Sequence, residues 1–254
     1  MSSAMLATER LHMVQIWLRM RRLVELARAL KLPIENTDEN YIVHCAIKEL
    51  FGSQAPHLFS LEGNDGRYLR VLAYSRKTAD ELRHASEAAA SPMVFEVCDW
   101  SRIASKTMPQ EFQEGCRLQF NVRVCPVVRK ASEGKYHKAG TEVDVFLSKV
   151  WEVNDSSVYL SREEVYLEWL QRQFRRQGGA KLVEGRLERF CLERLYRRTQ
   201  GEHRKGKILK RPTATFDGHI EVADSALFIS LLSSGIGRHK KLGFGMLRVR
   251  PPRS

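Results

Sequence analysis

The segment Gly235-Ile236-Gly237-Arg238-His239-Lys240-Lys241-Leu242-Gly243-Phe244-Gly245-Met246-Leu247 places four glycines and four basic side chains within thirteen positions. Glycine lets the backbone take positive φ and approach another backbone closely. Interleaved Arg, His and Lys add charge and donors at that point of approach, so the guest that suits this chemistry is a phosphate. Two familiar phosphate cradles do not fit. A dinucleotide fingerprint needs a strand before it, a helix after it and an acidic residue about 20 positions on. No acidic residue follows the segment. A P-loop needs Ser or Thr after its lysine, and here Lys240 and Lys241 lead into Leu242. The reading that remains is a polyanion held along its backbone, as nucleic acid is.

Charge points the same way. Lys and Arg number 42 against 30 Asp and Glu, a formal net charge of +12, with a pI near 9.7, in the range of nucleic-acid-binding domains. The window 172–211 holds fourteen basic residues and four acidic ones, or +10 of that +12. A block this dense is the footprint of a polyanion rather than an ordinary solvated face. Five widely spaced cysteines (Cys45, Cys98, Cys116, Cys125, Cys191) offer neither a disulfide framework nor zinc spacing. Residues 1–13 lack the apolar stretch of a signal peptide, and no 18-residue apolar run occurs. The expectation is a soluble, cytoplasmic protein with no membrane partner.

The elements that must position these groups read as two sets. In the first, 11–20 is a strand and 21–30 a helix stopped by Pro33. Residues 41–51 form a helix ended by Gly52. Residues 57–61 and 68–75 flank Gly63-Asn64-Asp65-Gly66 as a hairpin. A helix at 78–90 and a strand at 93–98 complete the split βαβ order of a ferredoxin-like unit. In the second, 117–125 alternates as a strand and 142–147 is a short one. Residues 161–177 and 184–198 read as helices, 213–222 as a strand, 223–234 as a helix and 246–249 as the closing strand. The fold class is therefore α+β, with domains at 1–110 and 111–254. The second carries a basic α-helical finger at about 161–211 and the glycine-rich loop at 235–247.

The glycine segment resembles the C-terminal signature of the CRISPR-associated endoribonucleases that process precursor crRNA, most closely the CasE-type members of the RAMP superfamily. Their pattern of Gly-Ile-Gly, two residues, Lys, two residues, Gly-x-Gly and two aliphatics is met by Gly235-Ile236-Gly237, Lys240, Gly243-Phe244-Gly245 and Met246-Leu247. The family's N-terminal catalytic helix, Tyr-x-x-His followed by aliphatics and Leu-Phe, is similar to Tyr41-Ile42-Val43-His44-Cys45-Ala46-Ile47-Lys48-Glu49-Leu50-Phe51. Weaker similarity covers 113–130 and 169–172. The long stretch before the His44 helix and the block 175–211 depart from compact CasE-like proteins. They suit a divergent branch, such as the processing nuclease of a type IV CRISPR system. The resemblance implies two tandem ferredoxin-like (RAMP/RRM-like) domains, with the loop meeting RNA at their junction.

Helical geometry bears on His44 independently. At 100° per residue Val43, Ala46, Ile47 and Leu50 share one face, while Tyr41, His44, Cys45 and Lys48 lie opposite. With RNA supplying its own 2′-hydroxyl nucleophile, the protein must add orientation, proton transfer and charge stabilisation. By resemblance His44 is the catalytic acid or base. Tyr41, one turn earlier, is placed to orient the hydroxyl or the phosphate. Arg238 of the loop is the first candidate for the guanidinium the chemistry needs, with Arg22 and Arg21 behind it. No metal or cofactor is required. The expected products are a 5′-hydroxyl RNA and a 2′,3′-cyclic or 3′-phosphate end. RNA-binding residues are Arg21, Arg22, Arg186, Arg189, Arg194, Arg197, Arg198, Gly235, Gly237, His239, Lys240, Lys241, Gly243 and Gly245. The implied partners are a CRISPR repeat stem-loop and subunits of a Cascade-like effector complex, with the RNA cut at the 3′ base of the stem and the product retained. The plainer readings are a solvated helix for the basic finger, capping or packing for Tyr41, and a solvated face for Arg21 and Arg22. A catalytically inactive hairpin-binding subunit is the alternative function. A DNA-binding regulator is disfavoured by the lack of a helix-turn-helix or zinc pattern.

Overall fold

The computed structural model describes residues 10–153, 155, 157–198 and 206–252. β1 (His12–Arg19) alternates buried and half-buried positions, turning Val14, Ile16 and Leu18 into a core. It runs into α1 (Met20–Ala29), and α2 (Glu39–Phe51) follows. β2 (Leu58–Asn64) and β3 (Tyr68–Ser75) form the expected hairpin. α3 (Ala79–Ala89) starts at a capping box between Thr78 and Glu81. The short α4 (Pro92–Phe95) and the edge strand β4 (Ala104–Thr107) close the set. The sheet order is β2-β3-β1-β4, with every pair antiparallel.

The second set starts with β5 (Arg117–Val124). A small sheet of β6 (Val127–Arg129) and β7 (Glu142–Asp144) comes next. Then come α5 (Val145–Val153) and α6 (Arg162–Gln177). A long hairpin of β8 (Ala180–Arg198) and β9 (Gly206–Val222) is followed by α7 (Ser225–Ser234) and β10 (Arg248–Arg250). Its sheet order is β10-β5-β9-β8. In both sheets the first long strand thus lies between the last and the third.

Two cores result. Val14, Ile16, Val43, Ile47, Leu50 and Val71 belong to the first. Phe120, Tyr166, Leu170, Phe174, Phe216 and Phe228 belong to the second, which Leu11, Leu58 and Tyr74 of the first half join. Burial of each such side chain contributes about 1.5–3 kcal/mol, so the halves share apolar contact. Among the described residues no helix is long and apolar enough to cross a membrane.

Four expectations are corrected. Residues 93–98 are not a strand: Pro92 at the first position of α4 starts a helical turn, and the fourth strand lies at Ala104–Thr107, all exposed and without an apolar signal. Residues 142–147 are a strand only to Asp144, after which Val145 begins a helix. Residues 184–198 are not a helix but the outer part of β8, so the basic finger is a β-ribbon rather than an α-helical insertion. Leu187, Cys191 and Leu195 stand four apart, a spacing that suits a helix face, but 189–198 pairs with β9 in continuous register. The last strand is Arg248–Arg250 rather than 246–249, because Met246 and Leu247 are spent on core packing.

Candidate functional site

His44 stands on the second turn of α2. Asp38 caps that helix, its Oδ1 accepting from the Tyr41 backbone N–H at 3.0 Å. Val43, Ala46, Ile47 and Leu50 are buried, leaving His44 half-buried on the opposite face. Burial is the largest influence on its imidazole, followed by the charges of Lys241 and Lys48 and then His57; together they hold its pKa below the ordinary 6.5. The ring is therefore mainly neutral at neutral pH, the form that accepts a proton. The Tyr41 ring lies 6.2 Å from the His44 ring and edge-on to Tyr196 at 5.1 Å.

The glycine-rich loop folds onto this helix from the far end of the chain. The Gly245 N–H donates to the Arg123 carbonyl at 2.7 Å, and the Ile236 N–H donates to the Gly245 carbonyl at 2.8 Å. At Gly245, with φ of +81°, an added Cβ would stand 2.1 Å from the Ile236 oxygen, so no other residue fits. At Gly243, φ +74°, it would meet Asn40 Oδ1 of α2 at 2.6 Å. These contacts, with buried Gly235 against Leu58, show the glycines packing the loop against protein. The buried Tyr74 hydroxyl donates to the Leu247 carbonyl at 2.9 Å and ties the loop's end to β3.

Arg123 on β5 joins these parts. Its Nη1 donates to Asn40 Oδ1 at 3.3 Å and to the Gly243 carbonyl at 3.2 Å. Its other nitrogen pairs with Glu193 of β8, and its guanidinium lies 4.1 Å over the Phe244 ring.

The loop's cations divide. Lys241, exposed, is the one close enough to depress the His44 pKa. Arg238 and His239 are held by Glu142, at 2.5 Å from Arg238 Nε and 2.9 Å from His239 Nε2, while Arg211 approaches the same carboxylate at 3.3 Å. The His239 hydrogen bond, then the others, pull Glu142 down to about 2. His239 itself sits at φ +59°, in the left-handed region, a strain the Glu142 contact helps hold. Burial, then the neighbouring Arg176, lowers the Lys240 pKa.

The arm of β8 and β9 reaches this site as well. Leu195 is buried with Cys125, Val127 and Phe244. The Tyr196 N–H donates to Asp38 Oδ2 at 2.8 Å, so one carboxylate caps α2 and anchors the arm. Arg186, Arg189 and Arg194 are exposed along it. Arg194 stands opposite Lys210 in the register, a like-charge pair that destabilises a bare sheet and suits an anionic partner. Arg197 and Arg198 end β8, and their side chains lie outside the described residues, as do Arg204 and Lys205 altogether. Arg21 and Arg22 lie on α1, paired with Glu25 at 3.2 and 2.8 Å, and Arg22 also with Glu96 at 2.7 Å.

The structure thus brings His44, Tyr41, Lys241 and the arm together, and engages Arg238 with Glu142. Sequence reasoning missed Asn40, Arg123, Glu142, Tyr196 and His57. Only Arg123 carried a signal, as a charged residue amid the strong alternation of 117–125.

With this geometry in hand, comparison with known proteins is decisive for kinship. A model of the family described as "CRISPR associated protein" matches residues 11–251, and the chain belongs to that family. The CRISPR-associated endoribonuclease Cse3 of Thermus thermophilus is 30% identical over 168 residues, 60% of this chain and 68% of that protein. The Cascade subunit CasE of Escherichia coli is 25% identical over 195 residues, covering 77% and 87%. A solved structure of Cse3 bound to a 19-nucleotide RNA superposes with a TM-score of 0.64 at 20% identity, over 95% of this chain and 100% of that one. Cas6e of E. coli does so at 0.54 and 19%, over 95% and 100%. Both structural likenesses establish the shared mixed α/β fold with antiparallel sheets.

Proposed function

We propose that this protein is a metal-independent endoribonuclease that cuts CRISPR repeat RNA at the 3′ base of its stem-loop and stays on the product. Each half is read as a ferredoxin-like domain, 1–110 and 111–254. The observation that carries the reading is His44: half-buried, held neutral, and set beside Lys241 of the glycine-rich loop. The neutral imidazole takes the proton of the 2′-hydroxyl, and the oxygen attacks the adjacent phosphorus. The bond to the 5′-oxygen breaks, that oxygen takes up a proton, and a 2′,3′-cyclic phosphate forms. Tyr41 orients the sugar or the phosphate. Lys241 meets the developing charge first. Arg238 takes a neighbouring phosphate by exchanging Glu142 for one of its oxygens. Arg186, Arg189 and Arg194 hold the stem through its phosphates, since A-form RNA hides its major-groove base edges.

The names of the relatives support this reading, one an endoribonuclease and one a Cascade subunit. They support a Cascade-like assembly as partner; a crRNA stem-loop as substrate and the cytoplasm as location belong to the same proposal. The test is incubation with the organism's own repeat RNA in EDTA, beside RNA carrying a 2′-deoxy nucleotide at the cut. Cleavage to a cyclic phosphate end, abolished by the deoxy substitution, is expected. An inert parent protein that still binds the hairpin would leave it an RNA-holding subunit.

A further inference from the structure

α6, α5 and the small β6–β7 sheet enclose a cleft of about 640 Å³. Its walls carry Arg129, Lys130, Lys149, Arg172, Arg176 and Arg238. Glu152 and Glu168 are the acids that line it, and Glu152 is already taken by Lys130 at 3.4 Å and the Ser148 hydroxyl at 2.9 Å. The cations thus exceed what the cleft's own acids neutralise, and nothing in the proposed cleavage chemistry uses Arg172, Arg176 or Lys149.

The cleft continues the glycine-rich loop. Gly237 passes over the Trp169 ring of α6, where an added Cβ would stand 3.1 Å from Cη2. Lys240 stands near enough to Arg176 to feel its charge. The loop therefore has two charged sides. Lys241 lies near His44, and Arg238 with Gly237 lines the cleft. The arm reaches His44 from its own direction, through Tyr196 on Tyr41. The loop thus links the His44 side, through Lys241, to the cleft, through Gly237 and Arg238.

We propose that this cleft binds the single-stranded RNA on the far side of the cut from the stem. The proposal rests on the ribonuclease reading above. The cavity is in the size range that encloses a small ligand, so it admits a short stretch of single strand and excludes a duplex. Arginines and lysines on its walls pair with phosphates, and Val128, exposed among its lining residues, offers apolar surface to a base.

Fluorescence anisotropy tests this with two hairpin RNAs blocked by a 2′-deoxy nucleotide at the cut, one ending at the stem and one carrying the single-stranded flank. Arg172→Ala with Arg176→Ala, both exposed on α6, should weaken binding of the flanked RNA by about tenfold and flatten its salt dependence by about 1.4 in log–log slope, at roughly 0.7 per single-strand phosphate. The unflanked hairpin should bind as before, and circular dichroism should show an unchanged fold. Lys149→Ala should act in the same sense and more weakly. Equal losses on both RNAs would place the stem in the cleft and overturn the proposal. No loss on either would leave the cleft a face for an acidic protein segment, and overturn it too. If the parent protein binds neither hairpin, the ribonuclease reading fails separately. The flank alone, as a single-stranded probe, then decides the cleft: binding lost in the double variant supports it, and absent binding overturns it.

Discussion

The two hairpins occupy the same place in their sheets and have diverged in opposite directions. β2 and β3 have 7 and 8 residues. They close on Asp65, whose carboxylate accepts from the Arg67 and Tyr68 N–H groups at 2.9 and 2.6 Å, a self-contained turn. β8 and β9 have 19 and 17 residues. Beyond Ala214 of β9 the ladder with β5 stops, so the outer part is a two-stranded ribbon, marginal on its own in water. It is held by contacts at a distance: Leu195 beside Phe244, Tyr196 on Tyr41 and on the Asp38 carboxylate. The short hairpin completes a core. The long one extends past its sheet to the helix that bears His44, which it meets through Tyr196.

That contrast can be broken in steps. Charge reversal of Arg186, Arg189 and Arg194 together should weaken hairpin RNA binding by about 100-fold or more, with a flatter salt dependence and an unchanged melting temperature. Arg67→Glu in the short hairpin should leave affinity within about twofold, since at physiological salt an isolated exposed charge acts over roughly 8 Å only. Equal effects from the two hairpins, read by anisotropy across a salt series, would erase the distinction.

Next in size is the anchor of the arm. Leu195→Ala should cost about 2–4 kcal/mol in denaturant unfolding, because Leu195 is 1% exposed. Leu192→Ala, on the same strand but 63% exposed, should cost under about 0.5 kcal/mol. Smaller still is Gly66→Ala in the short turn, where φ is +83° and the space beside it is open. It should cost about 1 kcal/mol through backbone strain alone and leave RNA binding intact.

The smallest effect concerns pH. His44 has a depressed pKa, so the neutral base persists below 6.5 and the acid limb of kcat/KM should fall below that value. Lys241→Ala removes a like charge, eases protonation and should move the limb upward, toward 6.5. A limb that stays put or moves down would separate the loop from His44.

How much of this was legible in the sequence follows from the range of each interaction. The face of α2 that presents His44 could be read because Val43, Ala46, Ile47 and Leu50 report helical burial locally. The glycine spacing of the loop likewise reflects short-range demands, such as Gly245 against the Ile236 carbonyl. The arm could not be read, because the four-residue spacing of Leu187, Cys191 and Leu195 also fits a helix and its strand character depends on pairing with β9. Arg123 with Asn40, Glu142 with Arg238, and Tyr196 with Asp38 are pairs 83, 96 and 158 positions apart. Each partner alone is an ordinary polar residue. The sequence pattern grouped Arg238 and Lys240 with the cut site, and could not tell which loop cation lies near His44, which in the fold is Lys241.

The central claim is that His44 moves a proton in RNA cleavage while the loop and arm hold the substrate. Single-turnover cleavage by His44→Ala, measured beside the affinity for a 2′-deoxy-blocked hairpin, tests it most directly. The predicted result is a rate lower by about 10²–10⁴-fold with the dissociation constant unchanged. An undiminished rate, or a loss of rate explained entirely by lost binding, would contradict it.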